Sequence, residues 1–469
     1  MNEEYRIEED KLGKLKIENS KYWGIHTERA FHNFNISGLK IPVSIIRSFA
    51  MIKKACASAN YELGYLEKEK FEAIDIACNE IISGRFDDQF PVDAMQGGAG
   101  TSINMNVNEV IANRAIEIMG GKKGDYKIIH PLNHVNMHQS TNDTYPTAIK
   151  IATIFQLRKL SANVEKLQGA FQKKEKEFAD VVTVGRTEMQ NAVPLTLGME
   201  FSSYSEAISR DRWRIFKCEE RLRVVNLGGT AVGTGLTAPR DYIFLVNEKI
   251  REITGLGISR GENIVGETAN ADSFVEVSGI IRAHATNLMK ICNDLRLLNF
   301  LGEIKLPAMQ AGSSIMPGKI NPVICEMAVQ TALKIYANDY IVAETAGRGT
   351  LQINEFLPLL SYGLVESLTL LTNLDEKLSD HILNVIAIKD KCLEHFNESP
   401  EIITAFLPLI GYEKAEKLLM EFEMSGNKNI RAFLEEKLGK NTVDDYLNPF
   451  KLTSLGYRRR KNEKNSKGE

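Results

Sequence analysis

Thirteen prolines in 469 residues leave long stretches in which nothing interrupts a helix. Proline lacks a backbone donor and clashes with the preceding turn, so its absence marks where long helices can run. Such windows lie between Pro146 and Pro194, Pro194 and Pro239, Pro239 and Pro307, Pro322 and Pro358, and Pro358 and Pro400. In the first, Leu157, Leu160, Val164, Leu167 and Phe171 alternate spacings of three and four. That is a heptad-like apolar seam between polar faces such as Arg158-Lys159 and Lys173-Lys174-Glu175. Residues 274–300 are also helical in period, and alternation of period two is scarce. The pattern predicts an all-α chain built on a central long-helix bundle, not a doubly wound sheet.

The flanks read differently. Shorter helices are predicted at 43–63 and 68–82, between Gly- and Asn-rich loops, and short helical pieces punctuated by Pro400, Pro408, Gly411 and Gly426 close the chain. This predicts three parts: an N-terminal mostly helical domain over 1–140, the bundle over 141–390, and a small C-terminal helical domain over 391–469. The last residues, RRRKNEKNSKGE, read as a solvated basic tail.

Charge narrows the partners. Lys and Arg total 58 and Asp and Glu 61, a net charge of −3, which gives no electrostatic reason for nucleic acid or an anionic membrane as the main partner. No apolar run is long enough to span a bilayer, and the polar, acidic N-terminus has no signal-peptide core. Cys56, Cys78, Cys218, Cys292, Cys325 and Cys392 form no CxxC pair. Reduced thiols in a cytoplasmic protein are the expectation.

Five segments are rich in chemistry. Residues 311–322, AGSSIMPGKINP, hold Ser313, Ser314, Lys319 and Asn321 among two glycines and two prolines, just before a helix-compatible stretch. Small residues let such a loop move and bring backbone N–H groups to a ligand, and the helix N-terminus favours anions. It is no Walker loop: five residues separate Gly312 from Gly318, and Ile320 stands where a hydroxyl is needed. Residues 96–106, QGGAGTSINMN, resemble an anion-holding turn before Thr101. Residues 134–146 bring Ser140, Thr141, Asn142 and Asp143 together, which alone reads equally well as an N-cap cluster. Residues 185–194, GRTEMQNAVP, place Arg186, Thr187 and Glu188 where a polar helix end is the plain reading. Residues 227–236, LGGTAVGTGL, fit close helix packing better than a dinucleotide site. His130, His134 and His138 recur every four residues, but Pro131 and the missing carboxylate or cysteine argue against a metal set, so no metal site is predicted.

In this order the segments resemble those of the aspartase/fumarase superfamily, over essentially the whole chain, with GSSIMPGKINP similar to its signature loop. The match is closest to the aspartate ammonia-lyase branch. YWGIHTERAFHNFNISG (22–38), GGAGTSINMNVNEVIANRA (97–115) and HQSTNDTYPTA (138–148) look like aspartase versions. Fumarases typically differ at Ile25-His26 and carry a second serine where Thr141 stands. The resemblance implies an all-α, three-domain subunit in a homotetramer, with active sites assembled from different subunits. It implies deamination of L-aspartate to fumarate and ammonia, with no required cofactor; activation by a divalent cation is left open.

Taking a proton from Cβ is tolerable only if the neighbouring carboxylate becomes a stabilised dianion, which demands preplaced donors and positive charge. By resemblance, Thr101, Ser140, Thr141, Asn142, Thr187, Ser314, Lys319 and Asn321 bind substrate and Ser313 is the general base. Arg186 is not placed in contact with substrate. Three departures stand out. Glu188 occupies a position where fumarases carry histidine and aspartases histidine or glutamine, while Glu326 matches the family acid that partners that histidine. Either the two carboxylates share a proton, or Glu188 meets the substrate ammonium; the second is preferred. The segment 297–306, LLNFLGEIKL, is shorter than usual, and LGKLKI lacks one basic residue, with Lys14 and Lys16 beside the gap. The competing readings are fumarate hydratase or another fumarate-releasing lyase, and a non-catalytic helical-bundle protein.

Overall fold

The computed structural model describes residues 4–456. The basic tail lies outside them. β1 (Tyr5–Asp10) and β2 (Gly13–Glu18) form an antiparallel hairpin, followed by α1 (Ile25–Asn33), α2 (Val43–Glu62), α3 (Lys68–Ile82) and α4 (Thr101–Ile118). A π-helical turn at Pro131–Val135 precedes α5 (Thr141–Glu177). A second antiparallel hairpin, β3 (Val182–Thr187) and β4 (Gln190–Thr196), leads into α6 (Leu197–Leu222). β5 (Val224–Val225) and β6 (Ser259–Arg260) pair in parallel around α7 (Arg240–Thr254). Next come α8 (Ile264–Ala269), α9 (Asp272–Leu301), β7 (Ile304–Lys305), α10 (Val323–Ala346) and α11 (Leu357–Leu383). β8 (Ile386–Ala387) pairs with β7, and α12 (Lys389–Glu398) follows. After a 3-10 stretch come α13 (Leu407–Ile410), α14 (Tyr412–Ser425), α15 (Ile430–Leu438), α16 (Lys440–Tyr446) and α17 (Pro449–Thr453).

The proline windows became the long helices. α5 runs 37 residues, α9 30, α11 27, α6 26 and α10 24. All five seam residues of α5 are buried. Each contributes roughly 1.5–3 kcal/mol relative to staying in water. The short predicted helices at 43–63 and 68–82 are α2 and α3. Among the described residues, every sheet has two strands, and no helix is long and apolar enough to cross a membrane.

The chain divides into two compact units. The first comprises Met1–Ala162, Trp213–Ala285 and Thr331–Asn373. There α2 packs on α3 and α7, and α3 on α4, burying Ile45, Phe49, Ile74, Ile81, Ile103 and Ile111. The second comprises Asn163–Arg212, Thr286–Gln330 and Leu374–Glu469. Its C-terminal helices close around Phe396, Phe406, Leu418, Phe422, Phe433 and Leu434, and Val184 of β3 joins that core.

Two local expectations change. Residues 185–194 are not a polar helix end: they form most of the β3–β4 hairpin, whose alternating Val182, Val184 and Leu195 were too short a signal beside a long helix. His130 and His134 fold back on their own turn. His130 Nδ1 accepts from the Leu132 and Asn133 amides, and His134 Nδ1 from the His130 amide.

Candidate active site

In the first unit, Gly98, Ala99 and Gly100 all take left-handed backbone conformations, with φ of 81°, 56° and 89°. This run starts α4 at Thr101 with its hydroxyl-bearing side chain exposed. Gly100 is obligatory on two counts, since a Cβ there would also lie 2.1 Å from the Tyr145 ring.

The N-terminus of α5 carries Thr141 and Asn142, with Ser140 just before it. Ser140 Oγ accepts from the Asn142 amide at 3.2 Å, the capping role expected of a serine there. α5 begins at Thr141, five residues ahead of Pro146, so the proline sits inside the helix. Lacking an N–H, Pro146 leaves the carbonyl of Asn142 without its helical donor. Asn226 Nδ2 supplies one at 2.8 Å, while Asn142 Nδ2 donates to the Ala231 carbonyl at 2.7 Å. Buried Asp143 accepts from the amides of Ser140, Gly228 and Thr230 at 3.0, 3.2 and 3.0 Å. Burial pushes its pKa up to about 6 against those donors. The 227–236 loop therefore does more than pack: it grips the helix end that bears these candidate residues.

Beneath them lies Lys53 of α2, fully buried. Its ammonium donates to Asn104 Oδ1 at 2.7 Å and to Asn136 Oδ1 and Gln139 Oε1 at 2.9 Å each. Asn104 Nδ2 in turn donates to Thr141 Oγ1 at 3.0 Å. Sequence reasoning missed Lys53, Asn104 and Asn226. A signal existed for Lys53, which stands four residues after Phe49 and three before Cys56, on the apolar face of α2.

Burial pulls the Lys53 pKa from its ordinary 10.5 down to about 8. Between those values the unfolded chain binds a proton that the folded chain does not, so stability rises with pH. We expect about 1 kcal/mol per pH unit from this group over the first unit above 8. Comparing chemical unfolding of the wild type and Lys53→Met across pH 8 to 10 checks it; equal slopes would sink the assignment.

The second unit holds the remaining candidate residues. In the 311–322 loop the Gly312 amide donates to the Lys319 carbonyl at 2.7 Å, and Asn321 Nδ2 to the Gly312 carbonyl at 2.9 Å. A Cβ on Gly312 would come within 2.6 Å of the Lys319 carbonyl oxygen, so the loop closes only with glycine there. Ser313 Oγ accepts from the amides of Ile315 and Met316, at 3.1 and 2.9 Å. Two N–H dipoles aimed at one hydroxyl oxygen stabilise its alkoxide. Ser314 and Lys319 are exposed, while Asn321 spends one N–H on holding the loop together.

Thr187 and Glu188 sit at the tip of the β3–β4 hairpin. Thr187 pairs with Gln190, leaving Glu188 and Met189 as a two-residue turn. Both take positive φ, 54° and 63°. Such turns favour glycine or asparagine, and a larger side chain costs on the order of 1 kcal/mol. The outcome is an exposed carboxylate at the tip. Glu326 lies half-buried on the first turn of α10. Among the described residues no hydrogen bond or ion pair joins Glu188 to Glu326. Arg186 turns away from the tip, onto Glu303.

The structure thus gathers Ser140, Thr141 and Asn142 on one helix end, with Thr101 in the same unit. Thr187, Glu188, Ser313, Ser314, Lys319, Asn321 and Glu326 belong to the other unit. A profile of the family described as Lyase matches residues 13–337. The aspartate ammonia-lyase of a Bacillus species is 42% identical over 98% of this chain and 100% of its own length. That of Helicobacter pylori is 44% identical over 96% and 98%. Among solved structures, a Brucella melitensis protein described as fumarate lyase:delta crystallin bound to cobalt superposes with a TM-score of 0.92 at 40% identity, covering 96% of this chain and 100% of its own. A class II fumarase from Schistosoma mansoni gives 0.89 at 32%, covering 95% and 98%.

Proposed function

The chain belongs to the lyase family whose profile spans residues 13–337, and on that premise we propose that it is an aspartate ammonia-lyase. The observation that carries this reading chemically is Ser313, whose Oγ receives two backbone N–H groups. Relatives of that activity, 42–44% identical over nearly the whole chain, support the choice of reaction.

As alkoxide, Ser313 takes the proton from Cβ of L-aspartate. The electron pair left on Cβ delocalises into the adjacent carboxylate, which becomes a dianion. It then forms the C=C bond as the Cα–N bond breaks and ammonia leaves. Thr101, Ser140, Thr141, Asn142, Thr187, Ser314, Lys319 and Asn321 are proposed to bind the substrate, with Lys319 supplying positive charge where the dianion develops. Glu188 is proposed to meet the α-ammonium, with Glu326 behind it. No organic cofactor is needed, because serine, carboxylate and donors complete the electron path.

A homotetramer with shared active sites follows from the same reading. Trp213 and Phe216 of α6, Leu333 and Tyr340 of α10 and Phe300 of α9 are exposed on long helices. Apolar stripes of that kind are covered when copies pack together. The three-part division at 140 and 390 stays part of the proposal. All six cysteines are buried and unpaired, which fits the cytoplasm.

The test is direct. Purified protein given L-aspartate should release fumarate, read by its ultraviolet absorbance, and ammonia in equal amounts, with L-malate giving far less. Fumarate from malate alone would make it a hydratase, and silence with both would leave a helical protein without this chemistry.

A further inference from the structure

Behind the hairpin tip, Glu303 is completely buried yet charged. It follows α9 and precedes β7, ten residues before Ser313. Arg186 Nη1 donates to its Oε2 at 3.0 Å, and Arg186 Nη2 pairs with Oε1. His395 Nδ1, from α12, lies 2.7 Å from the same Oε1. Burial raises the pKa of Glu303, but the bonds from Arg186 and His395 outweigh it and hold the carboxyl below its usual range. An ionised carboxylate has no proton to give, so His395 Nδ1 carries the hydrogen and donates. The 3.4 Å approach of Arg186 Nη2 to that nitrogen is then a contact rather than a bond.

The cluster is anchored on every side. The Glu303 carbonyl accepts from the Ile388 amide at 2.8 Å. The Cys392 thiol reaches the same carbonyl at 3.5 Å. Phe396, next to His395, shares a core with Val184 of β3. Arg186 also donates to the Val184 carbonyl at 3.2 Å, just after the bulge in β3. Arg186 is the residue before Thr187, so whatever fixes its guanidinium fixes the strained tip.

We propose that His395, through Glu303 and Arg186, is a positioning residue that sets the β3–β4 tip carrying Thr187 and Glu188. The proposal rests on the aspartate ammonia-lyase reading, because Thr187 and Glu188 matter only if they meet substrate. His395 and Arg186 Nη2 share Oε1 while Nη1 takes Oε2, leaving one arrangement of the guanidinium in which both carboxylate oxygens are engaged. Without that donor, Oε1 competes for a second Arg186 N–H and the tip loses its register against the substrate.

The conservative replacement is asparagine, whose Nδ2 falls near the place of the imidazole Nδ1; leucine and glutamine put no donor there. In full-length enzyme, His395→Leu should raise KM for aspartate roughly tenfold with kcat within about threefold of wild type. His395→Asn should return KM to within about threefold, and if the leucine variant fails to fold, His395→Gln takes its place. A wild-type KM in the leucine or glutamine variant, an asparagine variant no better than either, or a fall in kcat at constant KM overturns the proposal. Wild-type turnover of aspartate and calorimetric binding of fumarate are measured first: their absence would count against the functional reading, and only with both present do the His395 ratios count against the positioning role.

Discussion

Ser313→Ala should lower turnover of L-aspartate by roughly a thousandfold or more, as loss of a positioned general base does, while fumarate still binds within about threefold of wild type. The asymmetry follows from what Ser313 touches. Its oxygen accepts from the Ile315 and Met316 amides, in a loop largely open to solvent. Removing the oxygen returns those two N–H groups to water, at little cost in stability. Loop closure itself depends on the Gly312–Lys319 and Asn321–Gly312 bonds, which the substitution leaves alone. The ligand keeps its other donors and loses only the group that accepts a proton. Single-turnover kinetics with L-aspartate and calorimetry with fumarate read the two halves separately. Turnover near the wild-type rate would remove Ser313 as the base.

What could be read in the sequence is what repeats along it. Long proline-free windows with apolar residues every three or four positions announce α5 and α9. The dense polar loop at 311–322 stood out because serine, lysine, asparagine and glycine rarely crowd together without a reason. The grips that hold those residues were hidden, because they join distant positions. Asn226 meets Asn142 because Pro146 frees that carbonyl. Asp143 looked like one more capping residue until the amides of Gly228 and Thr230 came to it. The β3–β4 hairpin was masked by the long helices on either side, and its two-residue turn lacks the glycine or asparagine that usually signals one. Lys53 could have been found, since a cation on an apolar helix face must be either snorkelling or buried with partners.

Glu188→Gln should weaken aspartate binding by tenfold or more and leave fumarate binding unchanged or slightly tighter. Aspartate brings an α-ammonium; fumarate has only its two carboxylates. A carboxylate at the hairpin tip attracts the first ligand and not the second, so neutralising it costs aspartate affinity without costing fumarate affinity. A hydrogen bond between charged groups is worth about 1.5–3 kcal/mol, against about 0.2–1 kcal/mol for a fully exposed ion pair, and 1.4 kcal/mol is tenfold. The turn supplies an independent control. Glu188 sits at φ 54°, a conformation asparagine tolerates better. Glu188→Asn should therefore raise the melting temperature slightly while losing aspartate affinity as the glutamine variant does. A residue whose replacement steadies the fold and impairs one ligand is held there for that ligand. If both variants weaken fumarate more than aspartate, Glu188 does not meet the ammonium.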